Sequence, residues 1–140
     1  MNLHPLLHAR AAEKPIRAGL IGAGKFGSMF LGQAPFIKGL AVSVIADLDQ
    51  DRAHRACKEV GWDAARIAAT HFTSSGLDLI NDDRVDVVIE ATGNPLAGIA
   101  HADAAISAGK HIVMVNVEGD VLAGPALAKK AREKGVVYSM

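Results

Sequence analysis

Residues 16–30 read IRAGLIGAGKFGSMF, and this stretch decides the fold. Its first six residues, Ile16 to Ile21, form a β-rich apolar run. Gly22-Ala23-Gly24-Lys25-Phe26-Gly27 follows at once, and residues 25–34 then read as a helix closed by Pro35. Glycines at the first, third and sixth positions of a strand-to-helix turn each have a physical task. Gly22 permits the tight turn off the strand, Gly24 leaves the backbone bare for a close approach, and Gly27 lets helix and strand pack together. The helix start presents unpaired N–H groups and a partial positive charge, which suits phosphate. Lys25 and Phe26 lie over that turn, so their amides are candidate donors. A glycine pattern in this context reads as a dinucleotide-binding loop.

Outward from the loop, short β-rich runs alternate with longer helical ones. Residues 40–46 read as a second strand, and Asp49 as the cap of a helix running to Val60 with Gly61 as its stop. Residues 68–71 read as a short third strand, and 73–80 as a helix capped by Thr73 or Ser74. Val85 to Glu90 forms a fourth strand whose continuous apolar run, Val87-Val88-Ile89, suits a strand covered on both faces. Pro95 opens a helix that Gly109 ends, residues 111–115 form a fifth strand, residues 125–134 a helix followed by Gly135, and residues 136–138 begin a sixth strand. This alternation predicts an α/β fold: a Rossmann-type doubly wound parallel sheet in a single domain at residues 15–140. Residues 1–14 read as an appended helical arm, with Leu3, Leu6 and Leu7 at helical spacing.

Composition narrows the function. The chain has 140 residues, 50% hydrophobic but only 4% aromatic, so its core is built from Ala, Val, Ile and Leu. Fifteen basic residues balance fifteen acidic ones, which gives no electrostatic ground for a nucleic-acid or anionic-membrane partner and favours self-association, making a homo-oligomer a candidate state. The single cysteine, Cys57, can form no internal disulfide, and no apolar run reaches the length of a signal peptide or membrane span. The chain therefore reads as soluble and cytoplasmic. None of its six histidines has a metal-ligand spacing with a second candidate, so no metal is expected; His54 and His101 fall on helices and read as surface or packing residues.

Asp47 lies 20 residues after Gly27, at the end of the second strand, where a carboxylate can accept from the adenosine ribose hydroxyls. Leu48 follows it at the same edge. Asp47 favours NAD by repelling a 2′-phosphate. Arg52 could offset that from the next helix, although its position reads first as a solvated surface charge, so NADP and NAD both stay open. After the fourth strand, Ala91, Thr92, Gly93 and Asn94 form a small-residue loop with two polar contacts, and Asn94 also suits a helix cap. Asn116, leaving the fifth strand, is placed to face the nicotinamide end. Glu118 is the acid near that loop, where a solvated role is the default. No catalytic group is assigned.

The words IRAGLIGAGKFGSMF, VIADLDQDRA, VDVVIEATGNP and AGKHIVMVNVEGDVL with GPALAKKAREKGVVYS carry a family resemblance. From Ile16 to Tyr138 the chain resembles the NAD(P)-binding domain of the homoserine dehydrogenase-like oxidoreductases. It looks most similar to a bacterial subgroup with a C-terminal SAF domain, described as deoxyxylulose-phosphate-reductoisomerase-like. The resemblance implies a reductase or reductoisomerase-like enzyme acting on a small polar or phosphorylated metabolite, with a substrate domain beyond these residues. The subgroup's activity uses NADPH and a divalent metal. Homoserine dehydrogenases place a lysine after the asparagine of the fifth strand; here Val117 follows Asn116. A non-catalytic dinucleotide-sensing module is the alternative that this substitution leaves open.

Overall fold

The computed structural model describes residues 4–140. Its strands are β1 (Ile16–Ile21), β2 (Leu40–Ala46), β3 (His71–Thr73), β4 (Val87–Glu90), β5 (His111–Met114) and β6 (Tyr138–Ser139). Its α-helices are α1 (His4–Glu13), α2 (Lys25–Gln33), α3 (Gln50–Glu59), α4 (Ala64–Ala68), α5 (Gly76–Ile80), α6 (Pro95–Ser107) and α7 (Val117–Lys134). The six strands form one sheet in the order β3-β2-β1-β4-β5-β6, with every pairing parallel. Sequence order reverses between β1 and β4, and that reversal opens a crevice at the C-terminal strand ends.

Side chains of a strand alternate between faces, and here both faces are covered. Leu20, Ile45 and Ile89 pack with Leu31, Cys57 and Trp62 on one side. Ile21, Val44, Val88, Ile112 and Met114 pack with Leu79, Ile106 and Leu127 on the other. The Trp62 indole N–H is buried, and it donates to the Leu31 carbonyl at 2.8 Å, so this large aromatic enters the core with its polar atom paired.

Local chemistry sets the helix starts. Asp49, Asp63, Ser75, Asn94 and Asn116 each accept from a backbone N–H in the first turn of the helix that follows. Several boundaries differ from the sequence reading. Residues 64–68 are helical under the Asp63 cap, and the third strand lies at His71–Thr73 rather than 68–71. Thr73 is therefore in the sheet, and Ser75 caps α5. Helix α2 ends at Gln33 and a 3-10 turn, Ala34–Phe36, takes in Pro35. Helix α7 begins at Val117, eight residues before the proline read as its opening, and Pro125 sits inside it. A proline there removes one intrahelical bond, which the Asn116 cap and packing against α6 outweigh. For the N-terminal arm, Leu3 lies outside the described residues; α1 holds Leu6 with 64% of its surface exposed. Among the described residues no helix is long and apolar enough to cross a membrane, and no group of three His, Cys, Asp or Glu side chains could hold a metal.

Candidate functional site

A cleft of about 390 Å³ lies at the C-terminal ends of β1, β2 and β4, at the strand-order reversal. Gly22 and Gly24 form its floor at the start of α2. Gly22 has φ +97°, the left-handed region that side chains disfavour. A Cβ on it would also stand 2.7 Å from the Ala91 carbonyl oxygen, so the loop after β4 packs directly on this glycine. A Cβ on Gly27 would run into the Gly22 carbonyl oxygen, which is how α2 comes to lie against the end of β1. Gly24 is different: a Cβ there meets nothing within 4 Å. It begins α2 without any side-chain cap, so the first-turn amides have no side-chain acceptor. The turn thus leaves bare space beside uncapped N–H groups, which fits a pyrophosphate.

Asp47 stands beside this turn with its side chain wholly buried. Its Oδ2 accepts from the Ala23 N–H at 2.8 Å and its Oδ1 from the Asp49 N–H at 2.9 Å. Both oxygens also accept from Arg52 Nη2 at 2.8 Å. Burial pushes this carboxyl upward, but the hydrogen bonds from Arg52, Ala23 and Asp49 outweigh it and hold it below the ordinary carboxylate value. Arg52 is thus an ion-pair partner of Asp47 at the rim of the cleft, with about half of its side chain still exposed. Leu48 also lines the cleft and is 93% exposed.

The far wall rests on Glu90, a buried acid at the end of β4. Its Oε1 accepts from the Thr92 hydroxyl at 2.5 Å and the Thr92 N–H at 3.3 Å, and lies 3.4 Å from His101 Nδ1. Its Oε2 has no hydrogen-bond partner among the described residues and sits against Gly98. The Thr92 hydroxyl accepts from the Asn94 N–H at 3.3 Å. Asn94 caps α6 through the Ala97 N–H at 3.0 Å, and its carbonyl accepts from Asn116 Nδ2 at 2.7 Å. Asn116 is buried and caps α7 through the Gly119 N–H at 3.1 Å. One chain of hydrogen bonds therefore runs from Glu90 through Thr92 and Asn94 to Asn116.

Of the residues singled out in the sequence, Gly22, Gly24, Asp47, Leu48, Ala91, Thr92 and Asn94 are brought together around the cleft. Ala23 and Gly27 are buried behind it, and Lys25 and Phe26 are exposed on the first turn of α2. Gly93 is exposed, with φ +71°. Asn116 supports the cleft through Asn94 and does not line it. The sequence reading gave Ser74 only a capping role and His101 only a surface or packing one, and passed over Gly76; all three line the cleft, from the start of α5 and the middle of α6. His101 falls at no recognisable spacing from Glu90; only the packing of α6 on β4 joins them. A further cleft, of about 440 Å³, lies at the opposite, N-terminal ends of the strands, where Arg17 pairs with Asp86 at 2.8 Å; it is remote from the glycine turn.

A family model described as an oxidoreductase family with an NAD-binding Rossmann fold matches residues 16–140. Homoserine dehydrogenase of Pseudomonas aeruginosa is 30% identical over 135 residues, covering 90% of this chain and 29% of that protein. Biliverdin reductase of Synechocystis, solved with biliverdin and NADP+, superposes with a TM-score of 0.73 at 27% identity, covering 90% of this chain and 37% of that one. Homoserine dehydrogenase of Thiobacillus denitrificans superposes with a TM-score of 0.71 at 25% identity, covering 91% of this chain and 29% of that one. This chain spans about a third of the length of these relatives.

Proposed function

The chain belongs to the Gfo/Idh/MocA oxidoreductase family through its NAD-binding Rossmann fold, and on that premise we propose that it orients NAD(P)(H) for a reductase or reductoisomerase-type reaction on a small polar or phosphorylated metabolite. The observation that carries the reading is the turn at Gly24, with open space where a side chain would stand and no side chain capping the helix behind it. The first-turn amides of α2 would hold the pyrophosphate, Asp47 and Leu48 would border the adenosine end, and the loop 91–94 would border the path toward nicotinamide. Asn116 would act through the Asn94 carbonyl that it holds. The dinucleotide supplies the hydride chemistry; the chain's part is binding, orientation and a fixed polar wall.

The narrower likeness to SAF-domain, reductoisomerase-like proteins rests on the sequence words at residues 85–95 and 108–139. It implies NADPH and a phosphorylated acceptor, and NADPH oxidation assayed with and without a divalent cation tests it. The broader reading is tested by calorimetric titration of the chain with NADPH and NADH. Saturable binding of at least one is expected below ~1 mM, the upper end of ordinary enzyme–ligand ranges. Heat of dilution alone for both would refute it.

A further inference from the structure

Beneath the cleft wall lies a buried acid beside a histidine, Glu90 and His101, and what they do rests on the dinucleotide reading above. Glu90 is 0% exposed. Its two oxygens are unequally used. Oε1 faces three donors, the Thr92 hydroxyl, the Thr92 N–H and His101 Nδ1, while Oε2 has no hydrogen-bond partner among the described residues. An ionised carboxylate in this state is costly, because a buried charge needs a countercharge and a buried oxygen needs a donor. A proton relieves that cost in either of two places. On Oε2 it makes the acid neutral; on His101 it supplies the countercharge. His101 Nδ1 lies 3.4 Å from Oε1, so one proton can serve both groups.

Two helical glycines make room for the pair. A Cβ on Gly76, the first residue of α5, would stand 2.5 Å from His101 Nε2. One on Gly98, inside α6, would stand 3.0 Å from Glu90 Oε2 and 2.7 Å from Asn116 Nδ2. Glycine is disfavoured in a helix relative to alanine, so this space is kept against local propensity. In the sheet, Ile21 and Met114 stand level with Glu90, so its strand neighbours are apolar. His101 gives the pair its access to the cleft. Its side chain is 17% exposed, it lines the cleft, and Nε2 has no hydrogen-bond partner among the described residues.

The elements around the pair carry other charges. Asp78 on α5 is exposed, and Asp103 on α6 pairs with Lys130 of α7. In the first turn of α7, Glu118 is exposed and Asp120 accepts from the Tyr138 hydroxyl. Across the cleft, Asp47 is paired with Arg52. None of these bonds to Glu90 or His101.

We propose that Glu90 and His101 form a proton-sharing couple that takes up a proton when a dinucleotide fills the cleft. The pyrophosphate is anionic, and a cleft of about 390 Å³ keeps it within about 10 Å of the walls, one Debye length at 0.1 M salt. Its charge favours the state of the couple that carries the extra proton. The couple then passes from singly negative to neutral, with the proton entering from the cleft at His101. Glu90 keeps its hold on Thr92, and Thr92 its hold on the Asn94 N–H, in either state. By linkage, a complex that takes up a proton forms more tightly as pH falls.

The test is calorimetric titration of the wild-type chain, His101→Gln and Glu90→Gln with NADH and NADPH. Runs at about pH 7.5 in buffers of different ionisation enthalpy count the protons, and runs from about pH 6.5 to pH 8.5 give the affinity across the range of imidazole titration. Titration of the ligand's own phosphates is common to all three proteins and cancels between them. Thermal melts confirm that each variant is folded. The wild type is expected to take up about half a proton or more per dinucleotide, with affinity falling about threefold or more as pH rises over that range. His101→Gln, which keeps a polar side chain but cannot hold the proton, should lose most of the uptake and bind with a flat pH profile. Glu90→Gln, whose amide oxygen can still accept from Thr92, should lose uptake because the negative charge that draws the proton is gone. In the wild type, the His101 ring resonance followed by NMR should move toward its protonated position when dinucleotide is added, a reading that needs no variant. Heats that do not depend on the buffer, equal uptake by the wild type and His101→Gln, or an unmoved His101 resonance would overturn the proposal while leaving dinucleotide binding intact. Binding of neither dinucleotide by the wild type would overturn the parent reading and this inference with it.

Discussion

Replacing Gly24 and Gly27 separately with alanine should divide stability from binding. At Gly27 the new methyl would collide with the Gly22 carbonyl oxygen, and both partners are backbone, so neither can rotate away. Relief requires α2 to move off β1 by something on the order of 1 Å, and overpacking of this kind costs about 1–3 kcal/mol. Because both partners are backbone the cost lies at the upper end of that range, and the better helix propensity of alanine offsets about 1 kcal/mol of it, leaving a net loss of about 2 kcal/mol. The same shift carries the first-turn amides out of hydrogen-bonding range of a phosphate, so affinity falls as well. At Gly24 the backbone is extended, with φ −77° and ψ −154°, and the added methyl meets nothing within 4 Å. Gly24→Ala should therefore leave the unfolding free energy within about 0.5 kcal/mol of wild type, the usual span for a substitution that disturbs no packing. It should nonetheless weaken NAD(P)H binding by tenfold or more, about 1.4 kcal/mol, because the methyl occupies the space assigned to pyrophosphate. Urea melts followed by circular dichroism give the first quantity, and calorimetric titration the second. Unchanged affinity in Gly24→Ala would refute the placement of the phosphates over this turn. A Gly27→Ala protein as stable as wild type would refute the packing argument.

Two further outcomes follow from titratable groups. Cys57 is buried, and burial pushes its thiol up to about 11; a thiol reagent at pH 8 should leave the native protein unmodified and label one site once it is unfolded in denaturant. Asp82 and Asp86 are held at about 2, chiefly by side-chain hydrogen bonds from Arg84 and Arg17. A carboxylate lowered in the folded state contributes stability that is complete above its unfolded value and lost as pH falls through its folded value. Melting temperature should therefore drop between about pH 4 and pH 2, and Arg17→Ala should lower the melting temperature at pH 6 more than at pH 2; an equal loss at both would show that the pair carries no pH-dependent stability.

The sequence by itself determined the strand–glycine turn–helix unit at residues 16–33, the acid at the end of β2 and the alternation that makes a parallel sheet. These are local signals: a glycine needs no distant partner to permit a turn, and an apolar run marks a buried strand wherever it packs. Shorter elements carried too little period to be placed. The residues at 64–73 were divided wrongly between helix and strand because five and three residues give no resolvable repeat, and Pro125 looked like a helix opening because its cost is offset by contacts that a sequence does not list. The long-range polar partnerships of the cleft were decided by tertiary structure. Glu90 meets His101 only because α6 folds back across β4. Asp47 meets Ala23 only because β1 and β2 lie side by side in register. Arg52 could be seen as a charge close to Asp47 in sequence, but its role depended on whether that carboxylate faced solvent or was buried and already hydrogen-bonded. Burial decides that, and burial is a property of the assembled sheet.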